Sequence, residues 1–142
     1  MVYYIEFSEQ RLHEYRNNLN WKGDGTESNP IIIESLEGLN QYLRFKDIKS
    51  HIIIRNVELC EFYVQSCQNF SIENCTVYYL WINYCRNVKV EKSTIVNIDM
   101  RFSGACTVRN NNFHKDSGFT NRTLERKGDG DFSVGIGLDI FI

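Results

Sequence analysis

Apolar and polar positions repeat along the middle of the chain with a period of eighteen residues. Four blocks begin at Ile52, Phe70, Val88 and Cys106, with no insertion between them. Position 3 of each block is Ile54, Ile72, Val90 and Val108, and position 8 is Leu59, Val77, Ile95 and Phe113. A second alternating run follows at positions 11 and 13: Phe62 and Val64, Leu80 and Ile82, Ile98 and Met100. Tyr84 and Phe102 extend it, and Ser66 is the exception. Alternation with period two is the mark of a strand with one buried face. The residues are mainly β-branched and aromatic, as strands favour.

Polar corners fall between these runs. Asn56, Asn74, Lys92 and Asn110 follow the first strand of each block, and Gln68-Asn69 and Arg86-Asn87 lie ahead of the next. Asparagine suits such corners because its amide bonds the local backbone and tolerates left-handed geometry. Short strands, polar corners and a fixed period predict an all-β parallel β-solenoid, one coil per repeat. An antiparallel sandwich would not need the fixed register. Leu43 and Phe45 match Phe62 and Val64 at an offset of nineteen, which adds a looser coil and brings the total to four or five over residues 31–113.

A solenoid has two open ends, and both need caps. At the N-terminal side Tyr3, Ile5 and Phe7 alternate as a short strand. Ser8 then N-caps a predicted helix, with Glu9 placed to favour its dipole and Leu12, Tyr15 and Leu19 on one face. Trp21 and Gly23-Asp24-Gly25 end it. At the other side a polar stretch, 114–131, precedes Phe132, Val134, Ile136, Leu138, Ile140 and Ile142, which alternate without a break. Such a strand is expected to close the core, to meet another copy of the chain, or both. The 142 residues thus read as one domain, with a cap over 1–30, coils over 31–113 and a loop and capping strand over 114–142.

Gly23-Asp24-Gly25-Thr26-Glu27-Ser28-Asn29-Pro30-Ile31-Ile32-Ile33 resembles the lead-in "GDGT-x-x-NP-x-I-I" of parallel β-helix repeat proteins. His51–Val57 and Asn69–Cys75 resemble that family's coil consensus. The family includes NosD-like and pectate-lyase-like proteins, and the resemblance covers about residues 21–113. It implies a right-handed helix. It says little about activity, because these repeats serve lyases, hydrolases, adhesins and other proteins. The short coils and the lack of long cleft-building loops depart from the polysaccharide enzymes of this fold.

The outward residues carry the candidate chemistry. With Phe62 and Val64 inward, Glu61, Tyr63 and Gln65 face out, followed in the next coils by Tyr79, Trp81 and Asn83, then Asn97, Asp99 and Arg101. Tyr42, Arg44 and Lys46 precede them. Tyr63, Tyr79, Trp81, Asn83, Asp99 and Arg101 form the candidate ligand-binding or interface set. Aromatic rings stack on sugars, and the polar groups bond hydroxyls and carboxylates. The same strip also reads as a subunit contact or as plain sheet surface. Asp99 and Arg101 are the candidate catalytic pair for a polysaccharide lyase or glycoside hydrolase. Glu61 lies two coils from Asp99, about 10 Å by stacking, which is marginal for an inverting pair. A surface ion pair is the plainer reading. A second outward ladder pairs Arg55 with Glu73 and Glu91 with Arg109 as solvated support.

Composition narrows the classes. Sixteen basic and eighteen acidic residues give a net charge of −2, so no nucleic-acid partner is expected. No long apolar run predicts a membrane span, and no signal peptide is visible, so a cytoplasmic location is expected. Five cysteines at irregular spacing match no zinc motif, and free buried thiols are expected, including Cys67 and Cys85, which stack one coil apart. His13, His51 and His114 are scattered. Gly128-Asp129-Gly130-Asp131 lacks the ligand series of a calcium loop, and Asn121-Arg122-Thr123 is a sequon without a secretion signal. No metal or cofactor is expected. The functional expectation is a non-enzymatic binding or assembly module, homo-oligomeric, that presents the strip to a polysaccharide or to another subunit; the alternatives are the lyase or hydrolase and a purely structural self-associating solenoid.

Overall fold

The computed structural model describes residues 3–101, 103–104, 106–109, 111–113, 119–120 and 140–141, with side chains through Val108. In chain order the elements are β1 (Ile5–Phe7), α1 (Glu9–Leu19), β2 (Ile31–Ile33), β3 (Tyr42–Lys46), β4 (Ile52–Arg55), β5 (Glu58–Gln65) and β6 (Gln68–Glu73). There follow β7 (Thr76–Asn83), β8 (Arg86–Glu91), β9 (Thr94–Arg101), β10 (Thr107–Arg109), β11 (Asn111–Phe113), β12 (Phe119–Thr120) and β13 (Ile140–Phe141). Apart from β12, odd and even strands sort into two parallel sheets. One runs β1-β3-β5-β7-β9-β11-β13, with β12 also beside β9, and the other runs β2-β4-β6-β8-β10. The chain is a β-solenoid of about four turns with about eighteen residues per coil.

The register is the one that the repeat dictates. Phe62 pairs with Leu80 and Leu80 with Ile98, while Phe70 pairs with Val88. Ile52, Ile54, Leu59, Phe62 and Val64 of one coil are all buried, as are their equivalents in the next. Leu59 and Phe62 are three residues apart, so the inward parity changes within β5. The ladder skips Cys60 and Tyr78 there. Both Cys60 N–H (2.9 Å) and Glu61 N–H (3.2 Å) donate to the Gln41 carbonyl, which marks the bend. The core is aromatic at its N-terminal end, where Phe7 meets Phe45 at 5.2 Å and Phe45 meets Phe62 at 4.9 Å. It becomes aliphatic toward Val88, Val90 and Ile98.

The corners explain the polar punctuation. Asn56, Asn74 and Lys92 have φ of 59°, 50° and 53°, and Asn69 and Asn87 have φ of 67° and 55°. Stacked amides link the coils: Asn74 Nδ2 donates to Asn56 Oδ1, and Asn87 Nδ2 to Asn69 Oδ1, both at 2.8 Å. Asp47, Ser66 and Tyr84 form a third left-handed column that residue type does not signal. Just beyond the corners sit buried cysteines and serines with one shared task. Cys67, Cys75, Cys85, Ser93 and Ser103 each donate to the carbonyl two residues earlier, at 2.9–3.3 Å. All five cysteines are free thiols. Burial pushes Cys67 up to about 12 and raises Cys75 and Cys85 as well.

The N-terminal cap begins with β1, which adds a strand to the first sheet by pairing with β3. Ser8 caps α1 through its Oγ, which accepts from Arg11 N–H. Leu12 is buried and Tyr15 lies 5.0 Å from Phe7. Glu9 does more than favour the dipole. Its Oε1 accepts from the N–H groups of Lys49 (2.8 Å) and Ser50 (3.0 Å), and its Oε2 meets Ser50 Oγ and His13 Nε2. The corner from Phe45 to Ile52 is one residue longer than the next one, from Val64 to Phe70. That extra residue supplies the loop that Glu9 clamps.

The Gly-Asp-Gly turn has a steric cause. Gly23 has φ of 90°, and a Cβ there would meet the Pro30 carbonyl oxygen at 1.7 Å. Asp24 Oδ1 accepts from Thr26 N–H (3.0 Å) and Oγ1 (2.7 Å), so the motif is an Asx turn that launches β2.

One expectation changes. Arg55 pairs with Glu34 at 3.0 Å, on the β2 side, and not with Glu73, its register partner on the β6 side. Of the expected C-terminal strand, Ile140 and Phe141 pair parallel with Asn111 and Asn112. Residues 132–139 and 142 lie outside the described residues, as do residues 114–118 and 121–131.

Candidate functional site

The outward face of the first sheet carries three columns of side chains, set by strand parity and by the eighteen-residue register. The middle column runs Glu6, Arg44, Tyr63, Trp81, Asp99. Tyr42, Glu61, Tyr79 and Asn97 flank it on one side, and Lys46, Gln65, Asn83 and Arg101 on the other. Tyr63, Tyr79, Trp81 and Asn83 are half-buried and adjacent. Tyr63 lies 4.8 Å from Trp81 with the rings tilted at 57°, and Tyr79 meets Trp81 edge-on at 5.8 Å. Burial raises the Tyr79 phenol, with the Asp99 charge adding to the effect.

The first strand completes the strip, and the sequence does not announce this. Tyr4 joins Tyr42 (5.8 Å) and Tyr63 (5.5 Å) edge-on and donates its hydroxyl to Glu61. That bond raises the Tyr4 phenol well above its ordinary value. The Arg44 guanidinium sits 4.1 Å from the Tyr4 ring centre and 5.4 Å from that of Tyr63. The alternation of Tyr3, Ile5 and Phe7 puts Tyr4 and Glu6 on the other face. Their place beside Arg44 depends on a strand pairing that the repeat does not encode.

Asp99 departs from the exposed strip position that strand parity predicts. It is 4% exposed, while its Arg101 partner keeps more contact with solvent. Both carboxylate oxygens are taken by Arg101, at 2.9 Å from Nε and 2.8 Å from Nη2. Arg101 reaches back two residues on the same face to cover it, and β12 pairs with β9 there, Thr120 opposite Asp99. The bidentate bond raises the Arg101 guanidinium further, and its Cζ lies 5.9 Å from the Trp81 ring centre. Both oxygens of the Asp99 carboxylate are therefore spent on Arg101. Glu61, the other carboxylate of the expected pair, is engaged by Tyr4 in a different column.

An open groove of about 330 Å³ lies over the strip, lined by Glu6, Arg44, Lys46, Tyr63, Gln65, Trp81 and Asn83, with Val64 at its floor. It crosses the strands of four successive rungs, about 14 Å at the inter-strand spacing. Asn83 Oδ1 is buried without a hydrogen-bond partner among the described residues. Orphaned buried acceptors are few in native structures, and each costs stability. Among the described residues no three His, Cys, Asp or Glu side chains come together to hold a metal ion. Nor is any described helix long and apolar enough to cross a membrane.

Comparison of the chain with protein-family models, with curated proteins and with solved structures finds no match.

Proposed function

We propose that the protein is a non-catalytic binding module that takes a glycan in the groove over its outward strip. The observation that carries the reading is the composition of that groove. Tyr63 and Trp81 supply ring surface, Gln65 and Asn83 supply amides beside it, and the whole is open to solvent. Sugar rings present apolar faces to aromatics and hydroxyls to amides, so both halves of the lining have a use. The Asp99–Arg101 pair supports binding over catalysis, since both carboxylate oxygens are already bonded to the guanidinium. The Gly23–Ile33 turn and the coil pattern support kinship with parallel β-helix repeat proteins, whose activities are too varied to select a function.

The test uses a Trp21→Phe background, in which Trp81 is the one tryptophan. Titration with neutral and acidic polysaccharides should change its emission, and Tyr63→Ala should abolish the change. No response across a broad panel would remove the reading. Light scattering on Tyr63→Ala/Trp81→Ala tests the competing one. A wild-type oligomer that dissociates in the double variant would make the strip a subunit interface.

A further inference from the structure

We infer that the groove selects a glycan bearing an anionic group, sulfate or carboxylate, and that Arg44 and Lys46 read it. The inference rests on the glycan reading above and adds its charge. Arg44 and Lys46 stand two residues apart on β3 and face the same way, at one end of the groove that Tyr63 and Trp81 continue. Both are exposed, and neither forms an ion pair among the described residues. Arg101 and Arg55, by contrast, each hold a carboxylate.

Arg44 has a register neighbour of opposite sign in Glu6. Its guanidinium instead packs on the Tyr4 and Tyr63 rings. Stacking leaves the in-plane N–H donors of a guanidinium free and fixes their direction, so less entropy is lost when they bond an oxyanion. Lys46 adds a mobile point charge on the amide side of the groove. One anionic group at this end, with the sugar ring on Tyr63 or Trp81, satisfies both cations. Glu6 is the one carboxylate lining the groove, and it opposes this binding, so its neutralisation should strengthen it.

The experiment pairs charged and uncharged forms of one polymer: dextran sulfate with dextran, and polygalacturonate with its methyl ester. Calorimetry at low salt should show binding of at least one charged member and much weaker binding of its uncharged partner. Arg44→Gln/Lys46→Gln should weaken the charged member by about tenfold, the scale for two partly exposed charge-assisted contacts. Glu6→Gln should tighten it, and raised salt should erase the difference. Equal binding of charged and uncharged members would overturn the charge selection and leave glycan binding standing. So would an Arg44→Gln/Lys46→Gln variant with unchanged affinity. No binding of any member would remove both readings. Binding of a single-stranded oligonucleotide in place of every polysaccharide would also overturn the proposal, assigning the same rings and cations to bases and phosphates.

Discussion

Replacing Glu9 by alanine should loosen the N-terminal cap by a predictable amount and in a pH-dependent way. One carboxylate collects two backbone N–H groups, a serine hydroxyl and a histidine nitrogen, tying α1 to the corner at Lys49 and Ser50. Charge-assisted hydrogen bonds contribute about 1.5–3 kcal/mol each when well buried. This side chain is 40% exposed, so water replaces much of what is lost. Loss of an N-cap, a comparable removal of one acceptor from backbone donors, costs about 0.5–2 kcal/mol. We expect about 1–2 kcal/mol for Glu9→Ala at neutral pH, or a fall in Tm of about 3–8 °C for a chain of this size. Glu9→Gln keeps an acceptor and should lose about half as much. Burial alone would push the Glu9 carboxyl up, but the bonds from Ser50, Lys49 and His13 outweigh it and hold the carboxyl below its ordinary value. A depressed folded-state pKa means that the unfolded chain binds the proton first as pH falls. The contribution is therefore complete above the ordinary glutamate range and fades as pH drops through the folded-state value. Thermal melts of wild type and Glu9→Ala from pH 7 to pH 3 check this. The gap should be widest at neutral pH and shrink on acidification. A gap below about 0.3 kcal/mol at pH 7, or one that stays constant to pH 3, would refute the clamp.

Leu80 is fully buried between the Phe62 and Ile98 rungs, so Leu80→Ala should cost about 2–5 kcal/mol in urea unfolding. A cost below about 1 kcal/mol would mean that the coil core is not packed as described. Gly23 and Gly38 both have positive φ, but a Cβ at Gly23 meets the Pro30 carbonyl at 1.7 Å while one at Gly38 meets only Leu19, at 3.5 Å. Gly38→Ala should cost about 1 kcal/mol and Gly23→Ala clearly more, to the point of impaired folding; equal melting temperatures would contradict this. Cys60 is the one half-buried thiol and the other four are buried, so a disulfide reagent at pH 8 should modify one thiol quickly and the rest only on unfolding. Fast modification of two or more in the native protein would contradict the inward placement of the corner column.

The coils were legible because their cause is periodic. Inward residues must recur at one register for parallel strands to stack, so the spacing of Ile54, Ile72, Val90 and Val108 is enough to declare a sheet. The left-handed corners at Asn56, Asn69, Asn74 and Asn87 were legible for a local reason, the tolerance of asparagine for that geometry. What sequence could not show was contact between segments far apart in the chain. The Glu9 clamp joins residues about forty positions apart through backbone N–H groups, which carry no residue signature. Tyr4 and Glu6 reach the strip through a pairing outside the repeat. Strand parity puts Asp99 on the outward face beside Arg101, but it predicts direction and not depth. Its depth goes with Arg101 folding back over it, which alternation along the strand does not announce.

The constant register also bears on how the chain finds its fold. In most all-β proteins the paired strands are far apart in sequence, so large loops must close before contacts reward them. Here, from β3 to β10, each sheet neighbour lies eighteen or nineteen residues away, and only the terminal rungs span more. Set against the 142-residue length, a coil-to-coil separation of eighteen is about 0.13 of the chain, within the relative contact orders of mixed α/β domains and below those of sandwiches and barrels. Each added coil repeats a closure of the same size. Assembly can therefore spread from one finished coil to the next, and the closure entropy per coil stays the same however many coils the chain contains.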